Sequence, residues 1–118
     1  MDNKLLQKKL EKFAGFKEIR FKEPPYEVAW VEDEDGHMFT DGVPDLVSSL
    51  DAQAEYIYQM LNIYHIQKNF ISDTGYWNVD IYKPGAKYED FFTGYSLHES
   101  VAFALACEKI IDSLENNK

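Results

Sequence analysis

Among the 118 residues, the side chains able to do acid–base, nucleophilic or metal chemistry are few and scattered. His37, His65 and His98 fall in three separate segments, with no H-x-x-x-H or H-x-E pairing. The spacing that lets two imidazoles share one metal is therefore missing. Glu32-Asp-Glu-Asp-Gly36 invites comparison with a calcium loop. An EF-hand needs an oxygen ligand at its first position, glycine at its sixth and glutamate at its twelfth. Aligning Gly36 to the sixth position puts Val31 first and Gly42 twelfth, so both ends fail and the segment reads as a solvated turn. Cys107 has no sequence neighbour that would lower its pKa and reads as core. Ser96-Leu-His-Glu99 matches the capping box S-x-x-E, which accounts for Ser96 as a helix start without invoking a nucleophile. The six glycines are isolated, so no phosphate-cradling loop exists. The sequence predicts no catalytic residue, no metal and no cofactor.

The segment with binding potential is aromatic. In Tyr76-Trp-Asn-Val-Asp-Ile-Tyr82, strand alternation sends Trp77, Val79 and Ile81 to one face and Tyr76, Asn78, Asp80 and Tyr82 to the other. Aromatic rings stack on bases, and Asn and Asp read base edges. Tyr26, Tyr88, Phe91, Phe92 and Tyr95 are candidates to lie nearby, and Lys83, Lys87 and Arg20 to meet phosphates. The residues named for a ligand pocket are Trp30, Tyr76, Asn78, Tyr82, Lys83 and Arg20. Two other readings stay open: ordinary cross-strand packing beneath a helix, and an oligomer interface.

The elements that must position these residues follow from periodicity. Leu5, Leu6, Leu10 and Phe13 have helical spacing over residues 3–13, with Gly15 placed to end the helix in a left-handed conformation. Pro24-Pro25 breaks the chain. Residues 26–31 alternate as a half-buried strand, and Asp35-Gly36 returns the chain through residues 37–40. Ser48 is read as the cap of a second helix, with Leu50, Ala54, Ile57, Leu61 and Tyr64 in one stripe and fraying near Lys68-Asn69. Residues 76–82 and 87–93 form a second strand pair. A last helix runs from the capping box to about Leu114, followed by a frayed tail, 115–118. The expected class is α+β, a layered α/β sandwich with helices packed on antiparallel sheet, in the order α-β-β-α-β-β-α within one domain, 1–118.

Bulk properties narrow the partners. Hydrophobic content of 45% and aromatic content of 15% suit a globular fold. No apolar run is long enough for a membrane span, and residues 1–10 lack the continuous apolar stretch of a secretory signal. The net charge is −9, with a balance of +3 over residues 1–23 and −12 over the rest. So acidic a chain repels nucleic acid, and direct DNA or RNA binding is not expected. A single cysteine fits a reducing, cytosolic setting.

A run of landmarks resembles the phage ABA-sandwich domain family. They are Ala14-Gly15-Phe16 after the first helix, Trp30, the Asp35-Gly36 turn, Pro44-Asp45, Ser49-Leu-Asp-Ala52, Trp77-Asn-Val79, Gly94-Tyr-Ser96 and Val101-Ala-Phe-Ala104. The resemblance spans nearly the whole chain. It departs at Ser100-Val101, where the family has Ala and Ile. It implies a phage accessory protein in the host bacterial cytoplasm, a layered sandwich fold, and no residues with an established catalytic role. In that setting the expectation is a non-enzymatic, homo-oligomeric binding protein that sequesters a small nucleotide-type immune signal. The alternatives are an acidic antagonist or DNA mimic that blocks a host enzyme, and a structural protein without a ligand.

Overall fold

The computed structural model describes the backbone of residues 3–23, 26–32, 38–39 and 44–116, and the side chains of 3–17 and 44–116. Three helices, α1 (Asn3–Phe13), α2 (Leu50–Tyr56) and α3 (Glu99–Asn116), combine with two antiparallel sheets. The first sheet is β1 (Lys17–Glu23), β2 (Tyr26–Glu32) and β3 (Met38–Phe39); the second is β4 (His65–Ile71), β5 (Tyr76–Tyr82) and β6 (Phe92–Ser96), each in that order. The class is α+β, and the alternation of helices with antiparallel strand pairs follows the expected order.

α3 organises the core. Every residue from Val101 to Cys107 is apolar, and Ala102, Phe103, Ala104, Ala106 and Cys107 are fully buried. This apolar girth is possible because β5 and β6 cover one side while α1 and α2 lie against others. Val79 and Ile81 from the sheet and Leu6 and Leu10 from α1 complete the cluster. Each large aliphatic or aromatic side chain buried here contributes about 1.5–3 kcal/mol relative to exposure. Lys9 adds a surface clasp from α1, 3.1 Å from Glu108 and 3.2 Å from Asp112. Those two hydrogen bonds raise its pKa.

α1 ends as its sequence dictates. Gly15 has φ +89°, Phe16 N donates to Glu11 O and Gly15 N donates to Lys12 O, the paired bonds of a Schellman stop. Two glutamines then fix the loop before α2. Gln7 Nε2 donates to Pro44 O, and its Oε1 accepts from Leu46 N. The fully buried Gln53 donates to the Leu46, Val47 and Ser100 carbonyls at 3.0, 3.2 and 2.8 Å, tying that loop to the start of α3.

Several local boundaries differ from the sequence reading. Residues 17–23, to which the sequence reading assigned no element, form a strand paired with β2. Ser49, not Ser48, caps α2, its side chain accepting from Ala52 N. The helix stops at Tyr56, a 3₁₀ turn occupies Tyr58–Leu61, and the segment expected to continue as helix is β4. Leu50 and Ala54 of the expected stripe are exposed, while Ala52 and Gln53 are buried. The return strand of the last pair is Phe92–Ser96, with Lys87–Thr93 only partly extended. The Ser96–Glu99 capping box does not form: Ser96 closes β6 and accepts from His98 N, and Glu99 reaches Lys68 at 3.6 Å instead. The Asp35-Gly36 turn and the Pro24-Pro25 pair lie outside the described residues.

Candidate ligand-binding face

Alternation along β5 and its register with both neighbours build one surface. Tyr76 lies opposite Ile71, Asn78 between Asn69 and Tyr95, Asp80 between Gln67 and Thr93, and Tyr82 opposite His65. Residues directly paired in an antiparallel sheet point to the same side. α3 packs on the other side, over Val79 and Ile81. Among the described residues no helix lies over the Tyr76–Tyr82 side, and His65, Gln67, Asn69, Ile71 and Tyr95 on it are exposed. The helix-covered alternative is not seen among the described residues.

The rings on this face associate with one another. His65 stacks on Tyr82 at 5.6 Å, Tyr82 on Phe91 at 4.2 Å, and Phe91 on Tyr88 at 4.9 Å, all within 19° of parallel. The column ends at Tyr88, which is 85% exposed and leaves room for another planar group. At the other end of β5, Tyr76 and Tyr95 stack at 4.5 Å and 7°. Six residues of strand, about 20 Å, separate the two groups.

Between them lies a polar centre. Asp80 accepts from Asn78 Nδ2 through Oδ2 at 3.1 Å and from Thr93 Oγ1 through Oδ1 at 2.7 Å. Only 9% of Asp80 is exposed, and no basic group pairs with it among the described residues. Each carboxylate oxygen carries two lone pairs and accepts one of these bonds, so each keeps capacity for one more donor. Asn78 and Thr93 hold the carboxylate in one orientation, which is the preorganisation a recognition group needs.

The structure puts Tyr76, Asn78 and Tyr82 on one sheet face, with Tyr76 and Tyr82 at its opposite ends. It separates Lys83, whose ammonium sits 5.9 Å over the Tyr64 ring on the α3 side of the sheet. Lys68, the lysine of β4, is also on that side, bonded to Tyr58 Oη at 2.8 Å and lying 5.1 Å over Phe103. The side chains of Arg20, Trp30 and Tyr26 lie outside the described residues. His65, Asp80, Phe91, Thr93 and Tyr95 belong to the face but not to the pocket set taken from the sequence. The helical spacing of Ile57, Leu61 and Tyr64 hides His65, because it predicts helix where β4 forms.

Among the described residues, no histidine ring is hydrogen-bonded to a nucleophile. His65 is stacked on Tyr82, and His98 is exposed at the start of α3. Among the described residues no group of three His, Cys, Asp or Glu side chains could hold a metal ion. Burial pushes the Cys107 thiol well above its ordinary pKa, against a smaller opposing pull from the Lys68 ammonium, so it is not an activated nucleophile. No described helix is long and apolar enough to cross a membrane. Comparison with protein-family models, curated proteins and solved structures gives no match.

Proposed function

We propose that this is a non-catalytic binding protein that takes a flat, base-bearing ligand on the open face of β4–β5–β6. The observation that carries the reading is a sheet face that no described helix covers, on which stacked rings flank an oriented carboxylate with no basic partner among the described residues. Base–aromatic stacking contributes about 1–3 kcal/mol per base. A carboxylate with free acceptor capacity suits a base edge that presents adjacent N–H donors, as guanine's does. The lysines of the sheet point away, so the base, rather than its phosphates, supplies recognition. In the phage setting that the sequence resembles, the ligand is a small nucleotide-type immune signal of the bacterial host. The protein then acts in the host cytoplasm by sequestration, as a homo-oligomer that closes the face into a pocket.

A second reading is supported by the composition of the same face. It is rich in Tyr, Phe and His and poor in charge on a chain of net charge −9. Interface cores share that enrichment in aromatics and depletion of charge. On this reading the protein is an antagonist that docks on a host enzyme.

Calorimetric titration with guanosine, adenosine, cytidine, cyclic dinucleotides and cyclic ADP-ribose isomers tests the first reading. It expects saturable binding of guanine-bearing compounds, with guanosine retaining most of the affinity of its phosphorylated forms. No heat with any of them removes the ligand-binding reading.

A further inference from the structure

β4 is the outer strand of its sheet, and among the described strands only β5 pairs with it. Alternate residues of a strand turn their N–H and C=O groups away from the neighbour they bond. Along residues 65–70 no backbone group has a hydrogen-bond partner outside β4 and β5 among the described residues. Such an edge is a template for one kind of occupant, another extended strand. Strands that must stay single are blunted by proline, a bulge or free charge. β4 has none of these. It contains no proline, and its pairing with β5 runs from His65 to Ile71 without a bulge. Its one charge, Lys68, donates to Tyr58 Oη at 2.8 Å and lies 3.6 Å from Glu99. The end of the strand leaves apolar side chains bare on both sides of the sheet. Phe70, against Trp77 on the α3 side, is 55% exposed, and Ile71, opposite Tyr76 on the open side, is 37% exposed. A body laid on either face would cover one of them, whereas a strand added in the plane of the sheet covers both. β6, the opposite edge, is shorter and carries Gly94 at its centre, which weakens it as a pairing strand.

We propose that β4 pairs antiparallel with β4 of a second copy of this chain, about a two-fold axis at Asn69, joining two three-stranded sheets edge to edge. A two-fold perpendicular to the sheet keeps paired residues on the same side, so one residue must face its own copy across the axis. Lys68 in that place would set two ammoniums opposite each other, and like charges directly opposite are destabilising. Gln67 in that place would leave Phe70 and Ile71 beyond the paired stretch. Asn69 avoids both faults and pairs residues 67–71. On the axis, amide meets amide. On the α3 side, Lys68 lies opposite Phe70 of the partner subunit, where the lysine stem covers the exposed ring. On the open side, Gln67 lies opposite Ile71 of the partner subunit. Each exposed group of the strand thus finds its complement on the same strand, which is what singles out a second copy. The acidic excess of the chain does not oppose the contact, because β4 contains no Asp or Glu. The seam does not rest on the ligand reading, since the edge is bare with or without a base; it gives the homo-oligomer of that reading a defined contact.

The test uses the full chain, charge substitution at the axis and analytical ultracentrifugation. The wild type is expected to sediment as a dimer. Asn69→Lys alone and Asn69→Glu alone each place like charges across the axis, and each is expected to sediment as a monomer. An equimolar mixture of the two is expected to recover a dimer with one copy of each, a rescue that loss of folding cannot produce. Asn69 is exposed, so both variants are expected to keep the wild-type circular dichroism. Register is read by cysteine pairing. Residues opposite each other have Cα atoms about 4.5–5.5 Å apart, within the reach of a disulfide, so Asn69→Cys is expected to form a linked dimer in air. Gln67→Cys is expected not to, because its own copy lies four residues along the ladder, about 13 Å away. A wild type that stays monomeric at every concentration, a dimer unmoved by either charge, or a mixture no more dimeric than its parts overturns the proposal. So does a linked dimer through Gln67→Cys in place of Asn69→Cys.

Discussion

Gly94 is the tightest point between the sheet and α3, and replacing it with alanine tests the packing directly. Gly94 sits mid-strand in β6 opposite Val79. A Cβ built there would overlap the Ala102 carbonyl oxygen and stand 2.7 Å from Ala106 N and 2.9 Å from Ala102 C. All three obstacles are helix backbone, so no rotamer change relieves them. α3 must back away from β6, loosening Ala102, Ala106 and Phe103, each fully buried. Overpacking by a carbon commonly costs about 1–3 kcal/mol, and with rigid backbone on the far side the expected cost is about 3 kcal/mol. For a chain of this size that lowers Tm by roughly 10 °C or more. Gly75→Ala and Gly85→Ala are the controls. Their φ values are +76° and +81° and a Cβ meets nothing within 4 Å, so only the left-handed backbone is strained, at about 1–2 kcal/mol each. Urea and thermal melts followed by circular dichroism and tryptophan fluorescence measure all three. If Gly94→Ala costs no more than the two controls, the close approach of β6 to α3 is wrong.

Three further outcomes follow from the same geometry. Gln53 donates to three carbonyls, so Gln53→Ala is expected to cost about 2–4 kcal/mol in urea melts. Gln53→Glu, which turns acceptors toward acceptors, costs more; a neutral Gln53→Glu would contradict the clamp. The Cys107 thiol, raised by burial, stays protonated in the folded chain where an unfolded thiol ionises. Its contribution to stability is therefore intact below about pH 8.5 and declines as pH rises beyond that, and a thiol reagent at pH 8 reacts only after unfolding. On the sheet face, Asp80→Asn keeps one acceptor oxygen in place of two and is expected to erase any preference for guanosine over adenosine. Tyr82→Ala, which splits the ring column between His65 and Phe91, weakens every base about tenfold by calorimetric titration.

The strongest sequence signals in this chain came from uninterrupted patterns. The alternation of Tyr76–Tyr82 predicted both faces of β5, and the apolar run Val101–Cys107 predicted a helix covered on most sides, with Cys107 in the core. Gly15 marked the end of α1 for the physical reason found, a positive φ. The segment after α2 misled because Ile57, Leu61 and Tyr64 fit a helical period and no Gly or Pro interrupts residues 57–71. The competing signal was there: Ile66, Lys68 and Phe70 alternate with His65, Gln67 and Asn69 at period two. Ser96 and Glu99 satisfied a capping motif, yet tertiary contacts won, because Lys68 sits within reach of the Glu99 carboxylate. Alternation places Asp80 on the outer face of β5, but its hydrogen bond from Thr93 depends on a cross-strand partner that only the register identifies.

The central claim is that the open side of β4–β5–β6 is the binding surface. Amide chemical-shift mapping with isotope-labelled protein and guanosine tests it residue by residue. The account predicts saturable shifts clustered at Tyr76, Asn78, Asp80, Tyr82, Thr93 and Tyr95, with α1 unmoved. Shifts centred on α1 or the Lys83 turn, with the sheet face silent, would contradict it.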